Sequence, residues 1–217
     1  MIDFAARRLM MVDTQVRPQD VTKFPIIDAM LTVPREAFVP DDQQEAAYVG
    51  GHIELGHNRV LLEPRTFAKM LDALNPGPGE LVLDIGAGLG YSSAVVARLA
   101  QAVIAVEDDA GRVAEASEAL MDSGADNVVM HEGPLVNGAT EHGPYDAVLI
   151  EGGVAEVPAS ILDQVKEGGR IAAIFMEGAL GRVMIGHKAD GTVVWRFAFN
   201  ADAPVLPGFE AAIEFSL

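Results

Sequence analysis

The stretch Leu81 to Leu99, LVLDIGAGLGYSSAVVARL, leaves the chain few ways to fold. Leu81–Ile85 is an apolar run without alternation, which predicts a parallel strand covered on both faces. Gly86, Gly88 and Gly90 follow, two apart. Glycines let the backbone turn tightly and approach a ligand with no Cβ in the way. A helix predicted from Tyr91 to about Ala100 adds the free N–H groups of its first turn. Val103–Val106 is a second apolar strand, and Glu107 closes it. A carboxylate at that strand end can accept both hydroxyls of a ribose. In that order the features point to a nucleoside-containing cofactor. The bland alternative is that the glycines merely turn the chain and the acids are solvated loop ends.

The details select among cofactors. The dinucleotide fingerprint is Gly-x-Gly-x-x-Gly, whereas this turn is Gly-x-Gly-x-Gly with Tyr91 next. Asp84 lies two residues before the first glycine, where it would repel a pyrophosphate and suit a cationic amino-acid end. S-adenosylmethionine, with an amine, a sulfonium and a ribose, matches both acids, and a nicotinamide cofactor does not. The charge balance agrees: a formal net charge of −17 tolerates a cationic ligand and argues against a nucleic-acid partner or an anionic membrane surface. With no cysteine, the chain has neither a disulfide framework, a thiol nucleophile nor a thiolate metal site. No apolar stretch reaches membrane-span length and the N-terminus does not resemble a signal peptide, so the cytoplasm is the expected compartment.

Before the central motif, Asp3–Thr14, Phe24–Thr32 and Arg65–Leu74 have helical spacing, Ala37–Pro40 reads as extended, and Ala46–His57 as a loop. Asn75-Pro76-Gly77-Pro78-Gly79 then breaks the chain. The expected organisation is an N-terminal helical and loop lead-in, residues 1–75, packed on an α/β domain, residues 76–217, as one compact unit. Downstream, strands at Val128–Met130, Asp146–Ile150 and Arg170–Phe175 alternate with helices at Ala110–Met121 and Pro158–Val165. Asp190-Gly191 between Val183–His187 and Thr192–Phe199 is a hairpin signal, and Trp195 is expected to pack on the sheet. A turn-rich tail, Pro204–Phe209, leads to a last short apolar run. The fold class is therefore α/β, Rossmann-like, with a doubly wound and mostly parallel sheet, a helical lead-in and a C-terminal β-hairpin.

Three stretches make the chain resemble the protein-L-isoaspartate O-methyltransferase family from about Leu9 to Phe175. One is Met11–Arg17 with Val33-Pro34-Arg35-Glu36-Ala37-Phe38-Val39-Pro40 and Ala47-Tyr48. Another is Leu83–Tyr91 with Val106-Glu107, and the third Pro144–Val148 with Gln164–Arg170. The resemblance implies an S-adenosylmethionine-dependent methyltransferase fold and methylation of the isoaspartyl carboxylate of damaged proteins. It implies cofactor contacts at Asp84, Gly86, Ala87, Gly88, Gly90, Tyr91, Glu107 and Asp108, with Gly133 and Leu135 toward the base. His57, Arg59 and Glu151 are the substrate candidates, and no metal is expected.

The departures are local. Where the family carries a serine beside the transferred methyl, this chain has Leu62, and Arg59 replaces a glutamine. Gly133-Pro134-Leu135 lacks the family's acid for the adenine amine, which Glu132 could replace, and Glu151 stands where a small neutral residue is usual. Arg59 could pair with a substrate carboxylate, bidentately; its bland role is a salt bridge to Glu54 or Glu63. His52, His57 and Glu54 share a loop, where hydrogen bonding is the commoner use of two histidines. His131 is expected to be structural or near the base, and Tyr48 either packs or lines the pocket. Three readings follow: an isoaspartyl-type methyltransferase, a non-catalytic S-adenosylmethionine-binding homologue, or a methyltransferase for another carboxylate or small molecule. The oligomeric state is not readable.

Overall fold

The structure, a computed structural model, describes residues 2–211. The apolar run expected after Phe209 lies in part outside them. In chain order the elements are α1 (Phe4–Met11), α2 (Phe24–Thr32), β1 (Ile53–Gly56), β2 (Arg59–Leu61) and α3 (Pro64–Leu74). Then come β3 (Leu81–Ile85), α4 (Tyr91–Ala97), β4 (Ala102–Glu107), α5 (Ala110–Asp122) and β5 (Val128–Glu132). Last are β6 (Tyr145–Val154), α6 (Ala159–Leu162), β7 (Val165–Glu177), β8 (Leu180–Ala189) and β9 (Thr192–Asn200). Seven strands form one sheet in the order β5-β4-β3-β6-β7-β8-β9. The β5-to-β7 part is parallel, and β8 and β9 extend it as the antiparallel hairpin expected from Asp190-Gly191.

Burial explains the central strands. Val82, Leu83 and Ile85 are fully buried, as are Val103, Ala105 and Val106, because α3, α4 and α5 pack on one face and α6 with Leu135, Ala139, Leu206 and Phe209 on the other. The direction of winding reverses at β3, which has β4 on one side and β6 on the other. Ligands of open α/β sheets bind at such a switch point, beyond the carboxyl ends of the strands. Those ends here carry Asp84, Glu107 and Glu151.

The lead-in is docked by apolar stripes and a few buried polar ties. In α3, Phe67, Met70, Leu71 and Leu74 line one face and are buried, with Pro64 at the helix start. Asp3 caps α1 by accepting from the Ala6 N–H at 2.9 Å. Arg35 is fully buried; its Nε donates to the Ala47 carbonyl and its Nη2 to the Leu62 carbonyl, both at 2.7 Å. Trp195 packs edge-on against Phe175 at 4.8 Å, on the sheet as expected.

Four local expectations are corrected. Of the segment 37–40 expected to be extended, Val39 and Pro40 are, but Ala37 and Phe38 close a 3₁₀ turn over residues 35–38. The 46–57 loop contains β1, which pairs antiparallel with β2. Residues 151–154 continue β6, and the helix expected over 158–165 is only α6. Gln164 accounts for that early stop: its side-chain amide donates to the Asn137 and Ser160 carbonyls at 2.8 and 2.6 Å and accepts from the Ala139 N–H. The backbone after α6 is thereby turned into β7.

Candidate cofactor site

The glycine turn after β3 has the conformation its sequence requires, with φ of +81°, +57° and +95° at Gly86, Gly88 and Gly90. Gly86 and Ala87 donate to the Val106 carbonyl at 2.9 and 3.2 Å, which fixes the turn against β4. Asp84 is fully buried beneath it, and one carboxylate oxygen accepts from the Ser92 and Ser93 hydroxyls at 2.7 and 2.6 Å. The other oxygen has no partner. Burial raises the Asp84 carboxyl to about 6, against the lowering effect of the two serines. Glu151, at the end of β6, is also buried; desolvation and then the charge of Asp84 hold its carboxyl well above the usual carboxylate range.

Glu107 is where the sequence puts it, but it is not free. Arg59 binds it bidentately, Nη1 to Oε1 at 3.0 Å and Nη2 to Oε2 at 2.8 Å. Oε1 also accepts from Arg112 Nε at 2.9 Å and the Asp108 N–H at 3.2 Å, and Oε2 from the Gly88 N–H at 2.9 Å. Five donors on two oxygens exceed the roughly four lone-pair positions of a carboxylate. Arg59 Nη1 further bonds Asp108 at 3.0 Å. Both Arg59 and Glu107 are essentially inaccessible to solvent.

The space above the turn is filled as well. A Cβ built on Gly86 would lie 3.1 Å from Arg59 Nη2 and 3.2 Å from Leu206 Cδ1, and one on Gly88 would lie 2.7 Å from Leu55 Cδ1. The β1–β2 hairpin therefore lies over the glycines. A strap, residues 203–209, closes the side toward β6. Gly153 donates to the Pro204 carbonyl at 2.8 Å, Leu206 donates to the Gly153 carbonyl at 2.9 Å, and Ala155 donates to the Phe209 carbonyl at 2.8 Å.

These positions bear directly on the expected residues. Asp84, Gly86, Ala87, Gly88, Gly90, Glu107 and Asp108 come together with Arg59. Gly133 and Leu135 line a groove of about 500 Å³ with Glu132 and Gly208, which adjoins that set through Asp108. Arg59 faces neither Glu54 nor Glu63, the partners expected of a structural arginine; it is committed to Glu107 and Asp108 instead of being free for a substrate carboxylate. Leu62 is wholly buried. His57 is exposed at the hairpin tip, away from the buried set. The Tyr91 ring packs against Phe38 and Phe67, with Arg35 over it at 4.8 Å. Tyr48 belongs to the lead-in, its hydroxyl bonded to Glu36 and Arg8. His52 is used by the Glu63 N–H and the Asp202 carbonyl, both at 3.0 Å. His131 lies 3.3 Å from Glu141 on the surface, with His142 alongside.

Sequence reading did not find Arg112, Leu55 or Leu206. Arg112 carries a local signal, being five residues after Glu107 in the first turn of α5. Leu206 carries none, since only the fold brings it to Gly86. As to S-adenosylmethionine, the donor set fits: Glu107 for a ribose, and the unpartnered Asp84 oxygen for an amine. The arrangement that surrounds the set keeps the ribose position closed with the protein's own side chains.

Comparison with known proteins agrees with this architecture. Residues 8–196 match the family model of protein-L-isoaspartate (D-aspartate) O-methyltransferase. Protein-L-isoaspartate O-methyltransferase 1 of Rhodopseudomonas palustris is 36% identical over 168 residues, 77% of this chain and 69% of the relative. A second such protein, from Polaromonas, is 36% identical over 175 residues, 79% of this chain and 82% of the relative. Among solved structures, a protein-L-isoaspartate O-methyltransferase superposes with a TM-score of 0.80 at 24% identity, over 93% of this chain and 66% of that one. A beta-aspartate methyltransferase (PCMT) from Plasmodium falciparum, in complex with S-adenosyl-L-homocysteine, superposes with a TM-score of 0.79 at 18% identity, over 95% and 99%. Matched by that family model over residues 8–196, most of its length, the chain belongs to the protein-L-isoaspartate O-methyltransferase family.

Proposed function

We infer that this protein is an S-adenosylmethionine-dependent O-methyltransferase whose acceptor is the isoaspartyl carboxylate of damaged proteins. The observation that carries the reading is the family match over residues 8–196, joined to a switch point that bears Asp84, the glycine turn and Glu107. When bound, the cofactor supplies a methyl group on a sulfonium. Glu107 would hold its ribose and Asp84 its amino-acid end. An acceptor carboxylate is already ionised near neutral pH, so the protein needs no general base. Its work is alignment and exclusion of water. Leu62 offers no hydroxyl to orient that carboxylate, a loss of about 0.5–1.5 kcal/mol for an ordinary hydrogen bond and up to ~3 for one to a charged partner. Such a loss slows a positioning reaction without removing its chemistry.

A second reading has its own support: Leu62 at the serine position, wholly buried and without a hydroxyl, favours a binding homologue without turnover. Transfer of labelled methyl from S-adenosylmethionine to an isoaspartyl peptide, beside its aspartyl twin, separates the two. Turnover on the isoaspartyl peptide alone is the expected result. No transfer to either peptide, in a sample shown to bind the cofactor, would overturn the isoaspartyl reading and leave a binding homologue or a methyltransferase for another acceptor.

A further inference from the structure

We propose that Arg59, seconded by Leu206, is an internal competitor for the cofactor site: it holds the ribose carboxylate Glu107 and fills the space over Gly86, so a nucleoside enters only after Arg59 is displaced. The proposal rests on the functional reading above and adds to it a residue that sets cofactor affinity.

Three observations carry it. The first is that the contact reproduces what a ribose would need. Two parallel N–H donors reach the two oxygens of Glu107 at 3.0 and 2.8 Å, as a vicinal diol would. A diol cannot be added to a carboxylate that already accepts five hydrogen bonds, so ribose and guanidinium exclude each other.

The second is steric. A Cβ on Gly86 would be crowded, because Arg59 Nη2 and Leu206 Cδ1 stand 3.1 and 3.2 Å from its position, inside ordinary van der Waals contact. Leu206 is itself seated against Gly152, where an added Cβ would lie 2.5 Å from its Cδ2. Its backbone is held by Gly153. The occluding groups thus come from two distant parts of the chain, a hairpin and a strap, and both are buried.

The third is that the plug is incompletely satisfied. Arg59 Nε, Asp84 Oδ1 and Glu151 Oε1 are buried polar atoms without partners around the same centre. Arg35 Nη1 is left unpaired in the lead-in too, but around Arg59 three such atoms share one centre. The closed arrangement therefore gives up hydrogen bonds that an opened site, holding a ligand with an amine and hydroxyls, can restore.

The test is calorimetric titration of S-adenosylhomocysteine into the intact chain and into Arg59→Gln and Leu206→Ala variants, with circular dichroism and melting to confirm folding. The expected result is weak binding by the unchanged chain, at least tenfold tighter binding by Arg59→Gln, and a smaller gain by Leu206→Ala. Each variant should also show a larger ligand-induced rise in Tm than the unchanged chain. A gain is diagnostic, since loss of a merely structural arginine lowers affinity. Unchanged or weaker binding by folded Arg59→Gln, when the unchanged chain binds, would overturn the proposal and leave the methyltransferase reading standing. No binding by any of the three folded proteins would overturn both. Leu206→Ala keeps the buried charges paired, so it decides the matter if Arg59→Gln does not fold.

Discussion

Arg59 and Glu107 show how one buried pair constrains what a site can do. Removing one member of such a pair leaves the other charge buried and uncompensated, which costs about 3–5 kcal/mol in typical proteins. Arg112 and two backbone N–H groups remain on Glu107 when Arg59 is lost, whereas Glu107→Ala leaves the buried Arg59 with Asp108 alone and unpairs the Gly88 N–H, so it should be the more damaging change. Chemical denaturation of the two variants checks the order. Arg35 has a different task, since its donors serve backbone carbonyls. Arg35→Leu leaves the Ala47 and Leu62 carbonyls unpaired and should cost about 2–6 kcal/mol, at about 1–3 for each buried group stranded. Asp84 gives a pH signature. Its carboxyl is raised to about 6 in the folded protein, so the native state binds more protons than the unfolded chain between about 4 and 6. Its favourable contribution is complete below the unfolded value and is lost as pH rises through about 6. Asp84→Asn should therefore gain on the unchanged chain by about 3 kcal/mol between pH 3 and pH 8, read from urea midpoints at each pH. No such drift in the difference would show that Asp84 is not desolvated as described.

At the scale of elements, the sequence carried the sheet and most of its helices and missed what covers the glycine turn. Periodicity and glycine spacing located β3, α4, β4, α5 and the C-terminal hairpin to within a few residues, because those elements owe their form to local pattern and burial. The β1–β2 hairpin was invisible because its turn uses His57 and Asn58 at φ of +51° and +58°. Both angles suit a type I′ turn, but glycine is its usual marker. Arg59 was legible as an unusual residue and illegible as a partner of Glu107, since 48 residues separate them. Its role depends on a hairpin fold-back that no local pattern encodes. The strap is likewise a tertiary product. It hangs on Gly153, where an added Cβ would lie 2.6 Å from the Ala203 carbonyl oxygen and 3.1 Å from that of Pro204. Gly153→Val should detach it, and limited proteolysis should then cut within residues 203–211 at least tenfold faster than in the unchanged protein. Equal cutting rates would mean that the strap is held by other contacts.

For the molecule as a whole, the lead-in, the sheet and the strap meet at one place, the carboxyl ends of β3, β4 and β6. The formal charge of −17 surrounds that place, and burial rather than a basic surface lets Arg59 reach it. Self-repulsion of this size should weaken the compact state at low ionic strength. Melting at 20 mM and then 500 mM potassium chloride should show a rise in Tm, at about 2–4 °C for each kcal/mol of repulsion removed. The seating of Leu206 between Gly86 and Gly152 has a consequence for anyone searching for ligands. A protein that carries a replacement for its ligand spends the energy of binding first on evicting that replacement. If the open form were one molecule in about a hundred, the measured affinity would be a hundredfold below the intrinsic one. A screen by thermal shift would then register almost nothing from a compound whose intrinsic fit is good. Such compounds would be recovered by screening the protein with its strap loosened, and the unchanged chain would serve as the control that reports the cost of opening.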